Sequence, residues 1–303
     1  MTLSETRHAP TPSPDVEALA RAADWERWVA TLFAPGGKRP ALLALLAFSA
    51  EIARVRDIVS DPMPGEIRLR WWRDMLTGER RAEALGHPVA AALLDTIERH
   101  RLPAGALVNL IDARIFDLYD DPMPTMNDLE GYCGETSSAL VQLAALVLNE
   151  GADPGTADVA GHAGVAHAMT GLSRAFAFHA ARGQVYMPLD VLARHGVSRD
   201  DVLAGKATPG IVGALGEVRA RARHHLDKAR ALAGTIPEAV KPAFLHVALA
   251  GPALDRLDKA GADPFGPSAE APKWRRQWTL WRAARRGMPL GPLPSGGAAI
   301  RRP

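Results

Sequence analysis

Cysteine is almost absent: Cys133 is the single thiol in 303 residues. One thiol forms no internal disulfide, builds no cysteine-based zinc site and suits a reducing compartment. Aromatic residues are scarce, at 6%, and β-branched residues are few beside Ala and Leu. That excludes a strand-rich sandwich or barrel and favours helix. Neither sign of charge dominates, since 36 Lys and Arg face 34 Asp and Glu for a net +2. Bulk charge therefore recruits no partner, and no nucleic-acid motif accompanies the basic residues. No apolar run approaches the roughly 20 residues of a membrane-spanning helix. Residues 1–13 lack the apolar stretch of a secretory signal and read as a disordered tail.

What is present is helical punctuation. Ser13-Pro14-Asp15 starts a helix expected to run to about Phe33, where Pro35-Gly36-Gly37 breaks it. The apolar stretch ALLALLAFSA predicts a buried helix from Arg39 to Ser60, limited by Pro62. Further helices are expected at Pro64–Thr77, Pro88–Arg99, Pro103–Asp120 and Thr156–Ala181. Others are expected at Pro209–Ala233, Pro237–Ala260 and Lys273–Arg286. Thr125 to Asp128 reads as a capping box for a helix ending near Leu148, and Ser198 to Asp201 caps a short one. No segment alternates as a strand would. The expectation is one all-α domain over residues 14–287, followed by a flexible Pro/Gly-rich tail at 288–303.

The chemistry-bearing residues begin at EIARVRDIVSD. On one helix, Asp57 and Asp61 stand four residues apart on one face, and paired carboxylates on one turn suit Mg²⁺. Arg54 and Arg56 sit among them, with Glu51 a turn earlier. Arg54 is three residues before Asp57 and is expected to pair with it, which would make Asp57 a poor metal ligand. The favoured reading is a salt-bridge network. Asp112 and Asp117 are further acidic candidates, but five residues apart they do not share a face. His162, His167 and His179 lack the spacing of a zinc site and read as helix or cavity-wall residues.

Three stretches in order carry a family resemblance. They are LFAPGGKRPALLALLAFSAEIARVRDIVSD, Leu110–Leu148 (LIDARIFDLYDDPMPTMNDLEGYCGETSSALVQLAALVL) and GQVYMPLDVL at Gly183–Leu192. Over about Trp25–Arg286 the chain resembles the squalene/phytoene synthase family. That resemblance implies an isoprenoid-synthase-type helical bundle around a central cavity. In the family, two aspartate-rich motifs on facing helices hold the Mg²⁺ that binds and ionises allylic diphosphates. Here the first motif's positions fall on Arg56 to Ser60 and keep only Asp57, with Asp61 one place late. The second motif's segment, Gly171 to Arg182, contains no Asp or Glu. Arg174, His179, Arg182 and Tyr186 border what remains of it.

The same pattern is similar to a branch whose mitochondrial members act in assembly of respiratory complex I. That implies a non-catalytic scaffold or lipid-binding protein without a cofactor, cytoplasmic or peripheral on the inner membrane. Complex I subunits, the membrane surface or an isoprenyl lipid would be its partners. The alternative is an active Mg²⁺-dependent prenyltransferase for head-to-head condensation. Its relocated carboxylates would come from Glu51, Asp57, Asp61, Glu66, Asp112 and Asp117. A third reading is a membrane adaptor built on the basic helix at the C-terminal end. There Trp274, Trp278 and Trp281 form one stripe among Arg275, Arg282 and other basic residues. The favoured expectation is that this stripe packs on the bundle while the arginines stay solvated.

Overall fold

Proline opens the helices of this chain. It occupies the first or second position of five of them, where its missing N–H costs nothing. The computed structural model describes residues 13–259, 263–266 and 270–292. The first half contains α1 (Pro14–Ala23), α2 (Trp25–Thr31), α3 (Arg39–Ala53), α4 (Val55–Ile58), α5 (Pro62–Thr77), α6 (Arg81–Ala84), α7 (Pro88–His100), α8 (Ala104–Arg114), α9 (Met126–Cys133) and α10 (Ala139–Leu148). The second half contains α11 (Ala157–Arg174), α12 (Phe176–Ala181), α13 (Leu189–Arg194), α14 (Arg199–Leu203), α15 (Pro209–Ala231), α16 (Ala250–Lys259) and α17 (Lys273–Arg285). No strand occurs among the described residues, so the all-α expectation holds.

Most expected helices form, but several are cut, each for a local reason. The expected helix from Pro14 to Phe33 stops at Asp24, whose carboxylate leaves the helix to cap α2 through Arg27 N–H at 2.9 Å. The expected helix to Ser60 ends at Ala53. After the single turn of α4, Val59 and Asp61 are both extended, as the residue before Pro62 prefers. Asp57 and Asp61 therefore do not share a helix face. The capping boxes at Thr125 and Ser198 both form. Residues 134–138 between α9 and α10 widen into a π turn. The expected helix from Pro237 instead runs as tight 3₁₀ turns over Glu238–Leu249, with Pro242 inside, before α16 begins.

The main core gathers around the apolar helix α3, which packs on α1, α7, α8 and α10 and whose Leu43 and Phe48 are fully buried. Trp72 joins it, with its ring 5.4 Å from that of Phe48. A second core lies between α9, α11, α15 and the Val185–Met187 loop. A third joins α2, the 3₁₀ segment and α17. Residues 1–12 and 293–303, which include most of both expected tails, lie outside the described residues. The expected tail boundary at 288 falls before Leu290, which is 1% exposed and part of the main core.

The long helix α11 crosses the π turn closely. A Cβ on Gly164 would lie 2.3 Å from Ser138 Cα and 2.4 Å from its backbone nitrogen. Backbone cannot move aside as a flexible side chain can, so Gly164→Ala is expected to destabilise the protein by about 1–3 kcal/mol. Gly171, on the same helix, has nothing within 4 Å of such a Cβ. Gly171→Ala should be neutral or stabilising by up to about 1 kcal/mol. Urea unfolding of the two variants separates close packing from helix propensity.

Candidate functional site

Asp57 sits on the single turn α4, facing the loop after α12. Its carboxylate accepts from Arg182, so the expected Arg54–Asp57 pair does not form. Arg54 instead meets Glu51 at 3.5 Å, and Arg56 donates to Asp120 at 3.0 Å. Asp61 precedes α5 without capping it. Asp112 accepts from Arg73 at 3.2 Å, and Glu66 from the Tyr119 hydroxyl. The candidate carboxylates of the first motif region thus spread over a half-exposed surface network.

A tighter arrangement lies beneath. After α8, a 3₁₀ turn at Ile115–Leu118 carries Asp117 inward, where it is 5% exposed. Arg114, three residues earlier, donates to Asp117 Oδ2 at 2.8 Å. The hydroxyls of Tyr132 and Tyr186 each donate to Oδ1 at 2.8 Å. Arg114 also reaches the Tyr132 oxygen at 2.7 Å, and Gln184 donates to the Asp117 carbonyl at 3.2 Å. Burial, reinforced by the Asp117 charge, pushes the Tyr186 hydroxyl above its ordinary pKa. It therefore stays a donor across the physiological range. All three tyrosines of the chain end on a carboxylate.

The Gly171–Pro188 segment divides its candidates between two places. His179 packs edge-on against Tyr186, with centroids 4.8 Å apart, and burial lowers its pKa. Gly183, with φ +79°, turns the chain so that Tyr186 can enter the Asp117 cluster. Arg182 stays at the surface over the Phe178 ring. Arg174 points away from this cluster, so the structure does not unite it with His179 and Tyr186. It donates to Glu26 at 2.9 Å, and Arg276 of α17 donates to the same oxygen at 2.8 Å. Burial alone would raise the pKa of Glu26, but Arg174 and then Arg276 overcome it and hold it below the usual value.

Two small chambers lie among the described residues of the interior. One, of about 40 Å³, is lined by Arg27, Leu42, Leu45, Leu140, Ala243 and His246, with others. The second, of about 20 Å³, lies between His179, Tyr186, Phe176 and Leu215. Arg27 reaches the wall between α2 and the π turn, donating to Ser137 Oγ at 2.7 Å and His246 Nε2 at 3.3 Å. His246 in turn packs against His167 with ring centroids 4.6 Å apart. No group of three or more His, Cys, Asp or Glu positioned to hold a metal occurs among the described residues.

The chain matches the model of the squalene/phytoene synthase family over residues 20–282. It belongs to the squalene/phytoene synthase family. Of this family's structures, the squalene synthase HpnC from Alicyclobacillus acidocaldarius superposes with a TM-score of 0.71 at 24% identity, over 83% of this chain and 94% of that one. A dehydrosqualene synthase does so at 0.74 and 17% identity, over 90% and 95%. At these identities the structures establish the isoprenoid-synthase-type bundle expected from the sequence. NADH dehydrogenase (ubiquinone) complex I, assembly factor 6, of Rattus norvegicus is 31% identical over 252 residues, covering 83% of this chain and 75% of that protein. The phytoene synthase of Thermus thermophilus is 27% identical over 216 residues, 70% and 72% of the two chains.

In this squalene/phytoene synthase family member the C-terminal helix departs from expectation. Leu280 and Ala283 of α17 are buried, whereas Trp274, Trp278 and Trp281 are 64%, 57% and 41% exposed. The stripe faces outward because the opposite side of the helix holds Arg276 against buried Glu26. Sequence reasoning missed Tyr132, Glu26, Arg27 and His246. The scarcity of tyrosine was the available signal for Tyr132. Glu26 and Arg27 carried none beyond lying in an apolar helix.

Asp117→Ala leaves the Arg114 charge and two hydroxyls without their acceptor and is expected to cost about 3–5 kcal/mol in urea unfolding. Asp57→Ala breaks a pair that is 40% and 55% exposed and should cost under about 1 kcal/mol. Burial, with the nearby Arg27 charge, holds His246 and His167 well below the ordinary imidazole pKa. The unfolded chain therefore binds more protons below pH about 6.5. Stability should fall as pH drops from there toward 5, by roughly 1.4 kcal/mol per unit for each imidazole. In His246→Gln the urea-midpoint profile should be shallower over that window.

Proposed function

We propose that this chain is a non-catalytic squalene/phytoene synthase-like protein acting in assembly of respiratory complex I. The carrying observation is the small size of the interior chambers. Chambers of about 40 and 20 Å³ compare with the ~300 Å³ or more that an organic ligand of drug size occupies. The donor set supports the same reading. Mg²⁺ takes free carboxylate oxygens, whereas Asp57 is held by Arg182 and both Asp117 oxygens accept hydrogen bonds already. The residues present do not fit the ion. Two relatives at 30% and 31% identity carry the complex I assembly name, which supports assembly over isoprenoid synthesis. On this reading the chain works where complex I is built, at or near the membrane that holds it. No helix among the described residues is long and apolar enough to cross that membrane.

The experiment is removal of the chain from its own cell, followed by re-expression of wild type and Asp57→Ala. Native gels and NADH oxidation by isolated membranes should show loss of assembled complex I, restored equally by both forms. Calorimetric titration of the purified protein with farnesyl or geranylgeranyl diphosphate should show no Mg²⁺-dependent heat. Mg²⁺-dependent binding that vanishes in Asp57→Ala would instead support the prenyltransferase.

A further inference from the structure

The basic helix α17 carries its three tryptophans on the side away from the third core. We propose that it is a docking surface for an anionic lipid bilayer.

The helix has two distinct sides. At about 100° per residue, Leu280, Ala283 and Arg276 share one side, and Trp274, Trp278 and Trp281 fall on the other. The inner side is locked by the third core and by the Arg276–Glu26 pair. The outer side presents a stacked pair, Trp278 on Trp281, with centroids 4.8 Å apart and planes within 22°. The three rings border an open groove of about 550 Å³ whose far wall is Val29, Leu32 and Phe33 of α2 and its C-terminal end. Leu32 is 42% exposed and Met288, just past α17, is 49% exposed. An apolar band of this kind is costly to leave in water.

Charge decides the occupant. Lys273, Arg275, Arg282, Arg285 and Arg286 are exposed, and none forms an ion pair among the described residues. Arg275 and Arg285 lie 5.1 and 5.3 Å over the Trp274 and Trp281 rings, which holds the cations at the level of the indoles. No acid follows Glu270 in the chain, and the nearby Glu26 is already neutralised by two arginines. Indole with arginine is the composition of a helix lying in the headgroup region, where tryptophan is wet at one edge and apolar at the other. At about 1.5 Å per residue, the 13 residues of α17 lie along roughly 20 Å of surface. The groove beside them is apolar enough to admit part of an acyl chain. A protein partner would need a run of acids matched to five cations around an aromatic strip, whereas an anionic leaflet supplies that field everywhere.

The test is cosedimentation of the full-length protein with phosphatidylcholine vesicles, with and without phosphatidylglycerol. Binding is expected only with the anionic lipid and should weaken as salt is added. The combined Arg275→Glu, Arg282→Glu and Arg285→Glu variant should bind on the order of 100-fold more weakly or worse. The combined Trp274→Ala, Trp278→Ala and Trp281→Ala variant should lose both binding and the fluorescence quenching that brominated acyl chains impose on wild type. All six side chains are exposed, so circular dichroism and thermal melting should match wild type. No binding to anionic vesicles, or equal binding by wild type and both variants, overturns the proposal and gives the groove to a protein partner.

Discussion

The carboxylate of Asp117 is the point on which the interior depends. A buried ionised carboxylate survives only if its oxygens are filled by donors, and an arginine partner must be held beside it. Arg114 comes from the end of α8, Tyr132 from α9 and Tyr186 from the loop after α12. One side chain therefore ties three separate parts of the chain. Removing any donor leaves a charge or a dipole stranded in a low-dielectric site. The cluster also explains why the region opposite the first motif cannot open cheaply. Withdrawing Tyr186 would strip a donor from Asp117 and open the buried Asp117–Arg114 pair.

Glu26 repeats the device at the other end of the bundle. It is 6% exposed and receives Arg174 from α11 and Arg276 from α17. Its lowered pKa keeps it charged, so both arginines stay fixed. The small remaining chamber beside α2 is then walled by Arg27, itself bound to Ser137 and His246. The rest of that chamber's wall is apolar, with Leu42, Leu45 and Leu140 among its side chains.

The fold was legible because it rests on local rules. Proline at helix starts, two capping boxes and the apolar run of α3 are readable from a few neighbouring residues. The family resemblance supplied the long-range arrangement. The misreadings arose where a side chain's partner lies far along the chain. Asp57 has Arg54 three residues away but chooses Arg182, 125 residues on. Arg174 belongs by sequence to the second-motif segment and by structure to Glu26, 148 residues before it. Charge pairing over such distances has no sequence period, so composition and spacing do not reveal it.

The same limit reversed the reading of α17. A stripe of three tryptophans at helical spacing is, on hydrophobicity alone, the face that packs inward. The helix turns the other way because burying Arg276 against Glu26 determines its rotation. Leu280 and Ala283 are small enough to follow that rotation into the third core. A charge pair buried under the helix therefore dictates what the helix shows to solvent. Because Glu26 also holds Arg174, the same carboxylate that helps close the interior sets the orientation of the tryptophan face. An isolated amphipathic helix would fold only on meeting a surface and would lose binding energy to that ordering. Here the tryptophans and arginines are already arranged, and the ordering cost has been met within the fold.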